Sequence, residues 1–149
     1  MTFDIEPFKG AAPVIFGMPR DNLVSLLGTP GVAGESDSWG PRFEINVGYD
    51  DFGGVNHVGF SPGEFELRCD GEIIWTPESH PDPNYKLLEF DGEPLERLGF
   101  LVYTKIGVTT TGYHDDDPAQ FAITAFPKGA WDELLEKSQR PNLERYRHR

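Results

Sequence analysis

Two acidic segments, Asp50-Asp51-Phe52 and Tyr113-His114-Asp115-Asp116-Asp117, concentrate charge beside an aromatic ring, and each lies between runs patterned as strands. Carboxylates at an interface rim speed encounter with a basic partner, whereas a desolvated aromatic ring slows its departure. His57 follows the first segment by a few residues and adds a polar ring from the returning strand. The expected partner-binding set is therefore Asp50, Asp51, Phe52, His57, Tyr113, His114, Asp115, Asp116 and Asp117, facing one protein with a basic surface. Glu44 and Asn46 would add contacts from the strand between. The competing explanation is that Asp suits turns and keeps a chain soluble.

Other chemistry finds little support in the spacing. His57, His80, His114 and His148 never fall at a metal-ligand interval, and Cys69 has no second cysteine with which to build a zinc site or an internal disulfide. His114 to Asp117 offers oxygen ligands but lacks the alternating acidic positions, central glycine and distal glutamate of a calcium loop. There is no Gly-x-Ser-x-Gly elbow, phosphate-cradling glycine loop or His-Glu-x-x-His pair. The expectation is a binding protein with no metal, no cofactor and no catalytic role. A catalytic reading would have to assemble Cys69 or a serine with a distant histidine, or select two carboxylates from an abundant supply.

Charge narrows the partners. Thirteen basic residues stand against twenty-five acidic ones, a net of −12, and four of the arginines fall within residues 140–149. An anionic body repels phosphate backbones and anionic lipid heads, so neither nucleic acid nor a membrane is expected as a ligand. The N-terminus carries neither a basic region nor an apolar run, and one cysteine suits a reducing compartment, so a cytoplasmic protein is expected.

The elements that must position these groups follow from patterning. Seventeen Gly and thirteen Pro favour short strands and turns, and eleven Phe with three Trp point to a core of large rings. Residues 1–14 read as an extended lead-in, with Phe3, Ile5 and Phe8 as candidate strand or docking contacts. Pro19 opens a helix over about 19–27, with Leu23, Leu26 and Leu27 on its apolar face and Gly28 as its stop. Residues 31–41 read as a loop pinned by Trp39. Alternation over 43–49 predicts a strand with Phe43, Ile45, Val47 and Tyr49 inward, followed by strands at 55–60, 65–69 and 73–75. After a proline-rich linker, 85–90 reads as helix, 95–98 as one further turn, and 99–103, 106–113 and 120–126 as strands. A last helix covers about 130–138, and 140–149 is a basic, frayed tail.

The chain also repeats itself. Leu23-Val24-Ser25-Leu26-Leu27-Gly28-Thr29-Pro30 returns sixty-four residues later as Leu87-Leu88-Glu89-Phe90-Asp91-Gly92-Glu93-Pro94. Gly48-Tyr49-x-Asp51 matches Gly112-Tyr113-x-Asp115 at the same offset, and Phe60-Ser61-Pro62-Gly63 matches Phe126-Pro127-Lys128-Gly129 two residues further out. The predicted architecture is an α+β domain over 1–139, made of two tandem helix-plus-antiparallel-strand repeats at about 15–75 and 83–138, forming one or two adjacent sheets.

Ile15-Phe16-Gly17-Met18-Pro19 through Leu26-Leu27-Gly28-Thr29-Pro30 resembles the phrase that opens BamE/SmpA-like units, with Pro19 where a small hydroxyl residue is usual. Tandem units of this kind are similar to the β-lactamase inhibitor protein fold, which bacterial immunity proteins also use. The resemblance implies an immunity protein that binds and neutralises a cognate toxin. The alternatives are a small-ligand or catalytic domain using a pocket between the repeats, and an adaptor with no inhibitory role.

Overall fold

The computed structural model describes residues 1–147. The chain begins with three short strands, β1 (Thr2–Glu6), β2 (Gly10–Ala12) and β3 (Val14–Ile15), where a lead-in was expected. Helix α1 (Arg20–Leu27) is followed by β4 (Ser36–Trp39), β5 (Ile45–Tyr49) and β6 (Val55–Phe60), then by β7 (Glu66–Cys69) and β8 (Glu72–Trp75). Helix α2 (Asn84–Phe90) leads into β9 (Leu95–Arg97), β10 (Phe100–Tyr103), β11 (Val108–Thr111) and β12 (Ala122–Ala125). Two single turns, α3 (Asp132–Leu135) and α4 (Glu144–Arg147), complete the described chain.

The strands form two sheets. The larger is wholly antiparallel, ordered β4-β5-β6-β12-β11-β10-β9, and the smaller is β3-β2-β1-β7-β8 with β1 parallel to β7. Helices α1 and α2 therefore each precede an antiparallel meander, and the two meanders join edge to edge where β6 pairs β12. Strands β7 and β8 leave the first unit to pair with the N-terminal strands, which explains why residues 1–14 alternate apolar Phe3 and Ile5 with polar neighbours. Rings lock the sheets together: Phe3 on β1 meets Phe60 on β6 at 5.0 Å, Phe60 meets Phe65 at 5.3 Å, and Phe65 meets Trp75 at 5.5 Å. Tilted ring pairs of this kind add stabilisation beyond the area they bury.

The helix ends differ. Gly28 takes φ 86, a positive value that favours glycine, and donates its N–H to the Val24 carbonyl as the helix ends. In the second unit the stop is Asp91, whose buried carboxylate accepts the N–H groups of Glu93 at 3.0 Å and Lys105 at 3.1 Å, so Gly92 is not the counterpart of Gly28. The matched strand residues also part company. Val47 lies in the inward row Val47, Val58, Ala125 and Val108, whereas Thr111, sixty-four residues later, sits three positions beyond Val108 and so faces outward. A helix followed by an antiparallel meander occurs twice, with three strands after α1 and four after α2, and the residue-level register does not match.

Several expectations need correction. Leu23 is fully buried, but Leu26 is 42% exposed, because a short helix lying on a sheet turns Leu23 and Leu27 inward and Leu26 past the contact. Phe43 is not an inward strand residue: it has φ 58, precedes β5 and is exposed. The 31–41 loop contains β4, and Trp39 does pin it, donating its indole N–H to the Gly28 carbonyl at 2.8 Å. Residues 95–98 give β9 instead of a helical turn, because their backbone pairs with β10 on one side and with Gln139 on the other. The last helix shrinks to α3. The tail expected to fray carries α4 and buries Tyr146, while His148 lies outside the described residues.

Candidate functional site

The two acidic tips stand at opposite ends of the large sheet. The β5–β6 tip closes the end where β6 begins, and the segment after β11 closes the other, because β6 and β12 run antiparallel through Val58–Ala125 and Phe60–Ile123. A six-residue strand spans about 20 Å, so the nine expected residues do not form one footprint.

The first tip is braced. Asp50 turns its carboxylate Oδ1 back to accept the N–H of Phe52 at 2.9 Å and of Gly54 at 3.0 Å, and Gly53 takes φ 81 to close the turn. The segment entering α1 clamps its base: Gly17 N–H donates to the Val55 carbonyl at 2.8 Å and Val55 N–H to the Met18 carbonyl at 2.9 Å. Any side chain at Gly54 would press on the Gly17 backbone, which explains a glycine there. On this fixed support Phe52 is 97% exposed, flanked by the exposed carboxylates Asp50 and Asp51. Hiding so large a ring is worth about 1.5–3 kcal/mol, which is the apolar gain left unrealised on this hydrogen-bonded turn.

His57 points outward from β6. Its ring lies across Gly48, where a Cβ would come within 1.8 Å of Cε1, and its Nδ1 meets Asn56 Oδ1 at 2.9 Å. Burial of this ring lowers its pKa from the usual imidazole value. Around it the outward face of β4, β5, β6 and β12 presents Ser38, Asn46, Gly59 and Thr124, with the Ser38 hydroxyl donating to Asn46 at 2.6 Å. The other half of this face is covered, since Phe100 packs on Trp131 at 5.0 Å.

The second segment is mostly engaged inside the molecule. Tyr113 is buried and stacked flat on Phe121 at 4.2 Å, and burial raises its phenol pKa well beyond the usual range. The His114 side chain is also largely buried, with Nε2 3.9 Å from a Glu96 carboxylate oxygen and Nδ1 without a hydrogen-bond partner. Asp116 binds the Arg145 guanidinium through both oxygens, and Asp117 Oδ1 accepts the Ala119 N–H at 3.2 Å to start the 3-10 turn Pro118–Gln120. Tyr113 and Asp116 thus tie the segment to α4 and the 3-10 turn through Arg145 and Phe121, while His114 faces Glu96 on β9. Asp115, Asp116 and Asp117 remain exposed, and Asp115 lines a cleft of about 480 Å³ with Leu98, Phe100 and Phe121.

No family model, curated protein or solved structure matches the chain. Among the described residues, no group of three His, Cys, Asp or Glu side chains is placed to hold a metal ion, and no helix is long and apolar enough to cross a membrane. Cys69 is buried on β7 with its thiol pushed up to about 12, chiefly by burial and then by Asp70, Asp4 and Glu72, so it stays protonated and shielded. A thiol in that state is not a nucleophile.

Sequence reasoning missed the strained, exposed Phe43 and the small-residue sheet face. The alternation in Ser36-Asp37-Ser38-Trp39 held the signal for the latter, because Asp37 and Trp39 are its buried half. Asp37 is fully buried, and its carboxylate accepts the Tyr49 hydroxyl at 2.7 Å and Arg20 Nε at 2.6 Å. This pair ties α1 to β4 and β5 at the base of the Phe52 tip.

Proposed function

We propose that the chain is an immunity protein that binds and neutralises a cognate bacterial toxin, with Phe52 as the anchor and Asp50 and Asp51 as its charged rim. The single observation supporting this reading is the 97% exposure of Phe52 on a turn held by two hydrogen bonds to Asp50. A pre-formed projection loses little conformational entropy on docking, and central aromatic anchors with polar rims carry much of the energy of protein interfaces. The outward face with Asn46, His57 and Thr124 lies beside the tip and extends the surface with small, polar groups that leave room for a partner's side chains. The net charge of −12 suits a partner with a basic surface and a cytoplasmic encounter. In a reducing cytoplasm the protein needs no disulfide.

The test is co-expression with the protein encoded immediately upstream. The reading predicts relief of that protein's growth arrest and recovery of a stable complex, with Phe52→Ala abolishing both while the far-ultraviolet spectrum is unchanged. A Phe52→Ala variant that protects as well as the parent would refute it. A second reading has its own observation: the 480 Å³ cleft at the seam of the two meanders, bounded by Ser61 on one side and by Thr111 and Phe121 on the other. If it serves a small ligand, Leu98→Asp should abolish function while Phe52→Ala spares it.

A further inference from the structure

Against the anionic body, one cleft is basic. It lies between the turn after α2 and the C-terminal segment, with Pro94, Leu95, Pro141 and Leu143 as its walls, Arg140 and Arg147 at its margin, and a volume of about 210 Å³. A cavity of about 150 Å³ already admits benzene, so a phenyl ring fits. Glu93 also borders it, with Lys105 at 3.9 Å from its carboxylate, and Arg147 has Glu144 at 3.6 Å. An apolar slot flanked by two guanidinium groups is the complement of an exposed ring flanked by two carboxylates, which this chain carries at Asp50-Asp51-Phe52.

The tip cannot reach its own cleft. Strand β6 begins at the same end of the large sheet as β9, through the pairs Val58–Ala125, Ala125–Val108, Val108–Tyr103 and Val102–Leu95. Four strand spacings separate them, about 20 Å. Both features sit at one end of the sheet near opposite edges, so a rotation of 180° about an axis between them carries each tip toward the other copy's cleft. We propose that the chain forms a twofold dimer in which Phe52 of each copy enters the Pro94/Leu143 cleft of the other and Asp50 and Asp51 meet Arg140 and Arg147. Twofold pairing lets one weak contact be made twice, as is usual for self-associating proteins. The dimer does not depend on the toxin reading, but it covers the same tip, so a partner that uses Phe52 has to compete with it.

Sedimentation velocity of the purified full chain over a concentration series, at low and high salt, tests the proposal. The expected result is a monomer–dimer equilibrium with nothing larger, weakening as salt rises. Phe52→Ala, and separately the double variant Arg140→Glu with Arg147→Glu, should each weaken dimerisation on the order of tenfold or more. Each variant keeps the half that the other lacks, so mixing the two should restore one contact and an association weaker than the parent's. A parent that stays monomeric at every concentration, variants that dimerise like the parent, or species beyond the dimer would each overturn the twofold arrangement.

Discussion

The Asn84 amide donates to the Tyr146 hydroxyl at 2.9 Å, joining the first turn of α2 to the C-terminal α4 across sixty-two residues. Asn84 Oδ1 meanwhile accepts the hydroxyls of Tyr103 at 2.7 Å and Thr110 at 2.8 Å, and the Tyr146 hydroxyl donates to Asp82 at 2.7 Å. Every member of the network is satisfied, and losing one leaves a buried group exposed to no water. Tyr146→Phe should therefore cost about 1–3 kcal/mol in urea unfolding. It should also open the chain near Gln139 to limited proteolysis. Resistance equal to the parent's would mean that the remaining contacts, Asp116–Arg145 and Glu96–Gln139 among them, hold the segment without this hydroxyl.

The α1 contact separates two leucines that share a helical face on paper. Leu23→Ala removes a fully buried side chain and is expected to cost about 2–5 kcal/mol, while Leu26→Ala should stay within about 0.5 kcal/mol. Equal losses in chemical denaturation would mean that α1 is rotated from the orientation described above.

Asp37 should shape stability in acid. Burial pushes its pKa up, but the Tyr49 and Arg20 hydrogen bonds, the Gly34 N–H and the Arg20 charge together hold it below the usual carboxylate value. A carboxyl depressed in the folded state gives its full stabilisation above the unfolded pKa and loses it as pH falls through the folded one. Asp37→Asn should thus be destabilised most at neutral pH and lose less on acidification than the parent. Parallel curves for the two proteins, measured by urea midpoints from neutral to strongly acid pH, would remove Asp37 from the acid limb.

Gly48 and His57 give a test that NMR can read. Gly48→Ala must push the imidazole off the strand, into water, at a cost of about 1–3 kcal/mol or less, because the ring can swing aside. The His57 pKa, lowered by burial, should then rise toward the usual imidazole value. In the parent, the depressed value means that stability attributable to His57 falls as pH drops through the unfolded pKa and on toward the folded one; Gly48→Ala should shrink that loss. An unshifted titration in the variant would show that the ring was never covered by the strand.

What was legible in the sequence was local. Pro19, Leu23 and Gly28 announce α1, and the hairpin turn chemistry of Asp50 to Gly54 announces β6 as the returning strand, because capping, burial face and turn geometry act within a few residues. The parallel pairing of Thr2 to Ile5 with Glu66 to Cys69 has no local sign, since partners more than sixty residues apart are chosen by the whole core. The same holds for the candidate site. Exposure of Phe52 follows from turn chemistry at Asp50 and Gly53, whereas the burial of Tyr113 depends on Phe121 and on a C-terminal segment whose polarity suggested a free tail.

Separation of the acidic tips leads to the last prediction. If one partner docks at Phe52, the carboxylates that steer it are those on the same end of the sheet. Asp50 also holds the turn through its Oδ1, so Asp50→Asn keeps that acceptor while removing the charge. Asp50→Asn with Asp51→Asn should slow association with the proposed toxin partner at low salt and flatten its salt dependence, leaving dissociation nearly unchanged. Phe52→Ala should do the reverse and act mainly on dissociation. Asp115→Asn with Asp117→Asn lies about 20 Å away and should alter neither rate beyond the small change expected from net charge. Stopped-flow association rates for the three variants over a salt series decide it. Slowing by the Asp115 and Asp117 pair equal to that by the Asp50 and Asp51 pair would move the docking surface away from the Phe52 tip.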